Sequence, residues 1–167
     1  GGKPSVLWVA ANLDALILAS GPTSATNNHA LIVAINPVST GTLRALMDIV
    51  TGRLLFEMGA VSPASANLSY YDGISRPIAL ATTGAQILTW VLTSGVGGEI
   101  FRGSTSLGTS TYTNKAIGGA IGLGCFNDGS AWYIDARIGR LMLFSTLDAA
   151  RDARVRAWMS THYGIAL

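Results

Sequence analysis

From Ser5 to Phe144 this chain repeats one pattern: a short apolar or alternating run, then a turn rich in Gly, Ser, Thr or Asn. An alternation such as Leu88, Trp90 and Leu92 against Thr89 and Thr93 puts successive side chains on opposite faces of an extended strand, one dry and one wet. Runs of this kind lie at Ser5–Ala10, Ala15–Ala19, Leu43–Val50, Arg53–Met58, Asn67–Tyr71, Ile78–Thr82, Ile87–Thr93, Glu99–Arg102, Ala120–Phe126 and Ala131–Phe144. Ala30–Ile35 differs in being apolar throughout and closing on Asn36-Pro37, the pattern of a strand covered on both faces. Thr51-Gly52 joins two runs as a tight hairpin, whereas Gly103–Gly108 is polar and reads as a hairpin loop. Many short strands without helices between them exclude an α/β fold and describe an antiparallel sandwich or barrel.

Only the end of the chain changes period. Asp148 is placed to cap a helix of about 148–162, Val155, Trp158 and Met159 recur at spacings of three and four, and Gly164 stops it. Arg151, Asp152, Arg154 and Arg156 face away from that stripe and, with Arg137 and Arg140, concentrate basic charge near the terminus. A solvated helix face accounts for this charge; an anion-binding patch is the alternative.

Composition narrows the function classes. The chain has 167 residues, 49% apolar and 12% charged, with a net charge of +2. It is therefore neither disordered nor basic enough for nucleic acid to be its main partner, and residues 1–167 read as one domain. Ile78–Val96 is long enough for a membrane span but carries Thr, Ser, Gly and Gln throughout, with period two in its second half. Cys125 is the single cysteine and reads as a packed apolar residue. The chain begins at Gly1-Gly2 without an initiator Met or a signal peptide, which suggests a processed product or an excised module.

Most catalytic patterns fail on spacing. Gly118–Gly124 lacks both the dinucleotide-binding glycine spacing and a following helix, and no nucleophile elbow is present. His29 and His162 have no His or Cys neighbours for zinc. Glu57 and Glu99 are far apart and without adjacent carboxylates, although a sequence-distant pair such as Glu57 with Asp72 stays open.

The C-terminal third carries a more specific pattern: Ile121-Gly122, Phe126-Asn127-Asp128-Gly129, Tyr133, Ile138-Gly139-Arg140-Leu141-Met142-Leu143-Phe144, Leu147-Asp148, Trp158 and Tyr163-Gly164-Ile165. It resembles the ending of concanavalin A-like (laminin G-like) jelly-roll modules of bacterial and phage surface proteins. Ala30–Pro37 is similar to that family's central apolar strand and Glu99–Gly103 to its hairpin, with Arg102-Gly103 in place of Asn-Gly. The resemblance implies an all-β, two-sheet antiparallel jelly-roll sandwich with one C-terminal α-helix. It also implies roles ranging from sugar binding and adhesion to glycoside hydrolysis and virion structure. Some such modules hold calcium, for which Asn127 and Asp128 are the loop candidates against a plain Asp-Gly turn; no other cofactor is expected.

Sugar recognition needs an aromatic face beside planar hydrogen-bonding groups. Asn67, Tyr70, Tyr71 and Asp72 form the first such cluster, and adjacent tyrosines on a strand require one to look outward. Asn127, Asp128, Trp132 and Tyr133 form the second, while Trp8, Trp90 and Trp158 read as core. The expectation is a non-enzymatic, lectin-like module of a phage virion, in a tail or receptor-binding protein, acting on cell-surface glycan outside the cell. A purely structural module, trimeric or packed against other virion subunits, is the alternative, and a glycosidase stands third. The scarcity of charge points to a surface covered by sibling subunits or an uncharged glycan.

Overall fold

The computed structural model describes residues 6–8, 16–18, 26–38, 44–49, 54–62, 65–125 and 133–167. The first half of the chain holds β1 (Val6–Trp8), β2 (Leu16–Leu18), β3 (His29–Pro37), β4 (Arg44–Ile49), β5 (Leu54–Ser62) and β6 (Ser65–Tyr71). There follow β7 (Ser75–Leu80), β8 (Gln86–Thr93), β9 (Gly97–Arg102), β10 (Thr105–Ser110), β11 (Ile121–Leu123), β12 (Ala136–Phe144) and the helix α1 (Ala149–Tyr163). The strands form two six-stranded antiparallel sheets: sheet A in the order β1-β12-β3-β8-β9-β10, and sheet B in the order β2-β11-β4-β5-β6-β7. The strand pattern leaves sandwich or barrel open; the architecture is the two-sheet antiparallel sandwich with one C-terminal helix that the C-terminal resemblance implies.

The core lies between the sheets. Leu31, Val33 and Ile35 of β3 and Leu88, Trp90 and Leu92 of β8 meet Phe56, Met58, Leu68 and Tyr70 of sheet B. Phe56 packs edge-on to Trp90 at 6.0 Å between ring centroids, and the Trp90 indole donates to the Ser69 carbonyl at 3.0 Å. Burying one such aromatic or aliphatic side chain contributes roughly 1.5–3 kcal/mol.

The alternate residues of β3 explain why its run is apolar throughout. Ile32 and Ala34 point away from the core into a second cluster with Ile87, Met159, Val155 and Tyr163, so α1 covers the outer face of sheet A. Gly139 of β12 permits this docking, because a Cβ there would lie 2.6 Å from the Tyr163 ring. Asp148 caps α1 by accepting from the Arg151 amide, and Gly164 closes it at φ 68°.

Three expectations are corrected. Of Gly103–Gly108, expected as a hairpin loop, Gly103-Ser104 is the turn and the rest belongs to β10, an edge strand paired with β9; its side chains are exposed or half-buried, so no apolar alternation marks it. Trp158 is 41% exposed, stacked on His162 beneath Arg140, because Met159 instead takes the buried position. Asp152 does not face solvent: it is 4% exposed and paired with Arg151 at 2.7 Å. The proposed Thr51-Gly52 turn lies outside the described residues, but β4 and β5 pair antiparallel on either side of it.

Candidate functional site

The two outer faces of the sandwich differ in what covers them. On sheet A the helix does so. On sheet B, alternation turns Glu57 of β5 and Asn67, Ser69 and Tyr71 of β6 away from the core side chains Phe56, Met58, Leu68 and Tyr70. Cross-strand register adds Asp48 of β4, which stands in one row with Leu55, Tyr71 and Ser75. Glu57 stands two positions along from Leu55, a diagonal neighbour of Asp48 at roughly 7 Å between Cβ atoms.

A polar floor and a partly open rim result. Glu57 and Asp48 are 1% and 0% exposed and Ser69 is 0% exposed, whereas Asn67, Tyr71 and Ser75 are half-buried. One Glu57 carboxylate oxygen, Oε2, accepts from the hydroxyls of Ser69 at 2.9 Å and Ser75 at 3.2 Å. The other, Oε1, meets no donor among the described residues. Burial lifts the Glu57 carboxyl above its usual range; the two serine hydroxyls oppose the lift and the Asp48 charge adds to it.

The first predicted cluster is thereby split. Tyr71 and Asn67 share the outer face of sheet B, four residues apart and so roughly 13 Å along the strand. Tyr70 is not a ligand face: it is fully buried and packs against Gly98 of the opposite sheet. Its hydroxyl donates to the Thr111 carbonyl at 2.6 Å, and burial pushes its pKa up to about 12. Asp72 is likewise structural, being 1% exposed and holding the Thr113 amide at 2.5 Å and Arg76 Nε at 3.2 Å. These contacts tie β6 to the segment after β10 at one end of the sandwich. His29 belongs to the same end: its Nε2 donates to the Lys115 carbonyl, and desolvation lowers its pKa.

Of the second cluster, Asn127, Asp128 and Trp132 lie outside the described residues. Tyr133 is half-buried and precedes Ile134, whose amide donates to the Gly124 carbonyl just past β11. That puts Tyr133 on the β11 side of sheet B, three strands from Tyr71. The Glu57 partner raised from sequence, Asp72, is also corrected, since Asp72 is engaged by Arg76 and Thr113 while Asp48 is the carboxylate beside Glu57. Sequence reading missed Asp48; the signal that could have found it is the β4–β5 register across Thr51-Gly52.

Further clefts line sheet A. One of about 300 Å³ lies between Val91, Glu99 and Phe101 and the start of α1, with Arg156 seated over the Phe101 ring. Among the described residues no group of three or more His, Cys, Asp or Glu is placed to hold a metal, and no helix is long and apolar enough to cross a membrane.

Comparison with known proteins adds the fold relationship. No family model and no curated protein matches the chain. Among solved structures it is similar to NanB in a complex with Optactamide, at 16% identity and a TM-score of 0.63, covering 93% of this chain and 27% of the NanB chain. NanB is a sialidase of Streptococcus pneumoniae. The likeness is one of fold. The CBM40 of Ruminococcus gnavus IT-sialidase, bound to α2,3-sialyllactose, matches over 87% of this chain and 96% of its own at 11% identity and a TM-score of 0.58. Domain 4 of AbnA, an extracellular GH43 arabinanase of Geobacillus stearothermophilus in complex with arabinotriose, matches over 82% and 71% at 12% identity and a TM-score of 0.60. The chain thus spans about a quarter of NanB but nearly the whole of the Ruminococcus CBM40.

Proposed function

We propose that this chain is a non-catalytic carbohydrate-binding module that holds a surface glycan across the outer face of sheet B. The carrying observation is the polar face itself: Tyr71 and Asn67 flank the hydroxyls of Ser69 and Ser75 above a buried carboxylate, while α1 occupies the opposite sheet. An aromatic ring beside fixed acceptors and donors is the chemistry that sugar rings require. Fold neighbours solved with sialyllactose and arabinotriose support the class of ligand. Concanavalin A-like membership and a place in a phage tail or receptor-binding protein, outside the cell, extend the same reading and rest on the C-terminal pattern from Ile121 to Ile165.

An immobilised-glycan screen tests it: binding to at least one glycan, lost in Tyr71→Ala with an unchanged melting temperature, is expected. Silence across neutral and acidic glycans alike removes the reading and leaves the self-assembling structural module, which light scattering would report as an oligomer. A hydrolase is the second reading, favoured by Asp48 and Glu57 sharing one face and by the raised Glu57 carboxyl. Both carboxylates are at most 1% exposed, so no glycosidic bond fits between them, and the binding reading stands ahead. Release of reducing ends from any polysaccharide would reverse that order.

A further inference from the structure

Beside α1, sheet A carries a cleft of its own. With Trp90, Leu92 and Ile100 in the core, alternation turns Val91 and Thr93 of β8 and Glu99 and Phe101 of β9 outward. Register sets Val91, Glu99 and Thr109 in one row across three strands, and Thr89, Phe101 and Ser106 in the next. The start of α1 walls these rows on one side and so encloses the cleft of about 300 Å³ between Val91, Glu99, Phe101 and Arg156. Past Val91 and Glu99 it runs on into a groove of about 470 Å³ bordered by Thr93, Val96 and Thr109. Both volumes fall in the range of roughly 300–1,000 Å³ usual for ligand sites.

Two opposite charges face this cleft without neutralising each other. Glu99 and Arg156 are both half-buried, so a ligand can reach them, and among the described residues they form no ion pair. Each is held by a different group: Glu99 Oε1 accepts from the Ser106 hydroxyl at 2.5 Å, and the Arg156 guanidinium lies 5.5 Å above the centre of the Phe101 ring. The other acids of the wall are engaged, Asp148 by capping α1 through the Arg151 amide and Asp152 by pairing with Arg151 at 2.7 Å. Glu99 Oε2 and the Arg156 N–H groups are therefore left to a ligand.

That ligand must accept and donate within one small unit. A hydroxyl does both, so neighbouring hydroxyls of one sugar ring can meet a fixed carboxylate and a fixed guanidinium together, through hydrogen bonds about twice as strong as neutral ones. Val91 gives the C–H face of the ring an apolar seat. One free charge of each sign leaves an uncharged ligand without repulsion, whereas an anionic or a cationic one meets its like charge. We infer that this cleft is a second carbohydrate site, which takes an uncharged oligosaccharide with one ring between Glu99 and Arg156 and the next along Thr93 and Thr109. It lies on the other sheet from Tyr71, so each site stands or falls without the other.

Nuclear magnetic resonance on isotope-labelled protein tests it, with lactose, xylotriose, arabinotriose and maltotriose as sugar probes and triglycine as a peptide control. At least one sugar is expected to shift the Val91, Glu99 and Phe101 amide signals and the Arg156 Nε–H signal together, in the parent and equally in Tyr71→Ala. Glu99→Ala and Arg156→Ala are each expected to weaken that binding at least about tenfold. Glu99→Gln, which keeps the size of the side chain but not its charge, is expected to weaken it about threefold. Melting curves check the fold of each variant. If no sugar moves these signals the second site is overturned, whatever happens around Tyr71. Shifts that survive Glu99→Ala and Arg156→Ala, that vanish in Tyr71→Ala, or that triglycine produces in place of a sugar overturn it as well.

Discussion

The outer faces of the two sheets are built from strands of the same kind and put to opposite uses. On sheet A, β3 offers Ile32 and Ala34, and α1 covers them with Met159, Val155 and Tyr163. On sheet B, β5 and β6 offer Glu57, Ser69, Asn67 and Tyr71, and a hydrogen-bonded floor forms instead. The difference shows that period two alone specifies a strand, and that the residue class at the second position specifies what may cover it. An apolar outer face is spent on stability. A polar one costs desolvation, which hydrogen bonds such as those from Ser69 and Ser75 to Glu57 partly offset.

Four measurements separate these uses. Ile32→Ala should lower stability by roughly 3 kcal/mol in denaturant unfolding, the cost of a buried aliphatic cavity. Gly139→Ala should cost about 1–3 kcal/mol by pushing its methyl against Tyr163, and should change the fluorescence of Trp158 as α1 is displaced. Either variant leaves glycan binding on sheet B unchanged if the faces are independent. On that second face the sign reverses. Glu57→Gln should raise stability at pH 7 by about 1 kcal/mol, the order of a buried group's desolvation penalty. Because its folded-state pKa is raised, Glu57 contributes favourably below its ordinary value of 4.5, and that contribution is lost as pH rises. The gain from Glu57→Gln must therefore vanish towards pH 4.5, and a gain independent of pH would refute the desolvation account. The smallest effect is that of His29, whose lowered pKa makes its neutral form the stabilising one: stability is full above about pH 6.5 and declines as pH falls through the lowered value. Melting temperature against pH in His29→Gln should be flatter than in the parent over that interval.

Much of this fold is legible in the sequence because burial leaves a chemical trace. Ala30–Ile35 announces two covered faces since both are in fact dry, and Asp148 and Gly164 announce the helix ends since capping demands particular groups. Thr105–Ser110 leaves no such trace, because an edge strand pairs by its backbone while its side chains stay wet. The site is legible only in part. Adjacent tyrosines on a strand must diverge, but which one enters the core depends on where the opposing sheet offers room, and Gly98 provides it for Tyr70. Asp48 joins Glu57 only through a cross-strand register that shifts between Ala45 and Met47, a property of the paired strands rather than of either alone.

The neighbours of β3 also set a timetable. It pairs with β8 and with β12, whose Phe144 sits beside Ala30 although it is made roughly a hundred residues later. At about 5–20 residues per second of synthesis, the most apolar strand of the chain waits roughly 5–20 s for its second partner. Strands β4 to β7, by contrast, pair with sequence neighbours and can form as they emerge. Until β12 is made, one edge of the apolar strand Ala30–Ile35 has no native partner, which makes it a place where mispairing can begin.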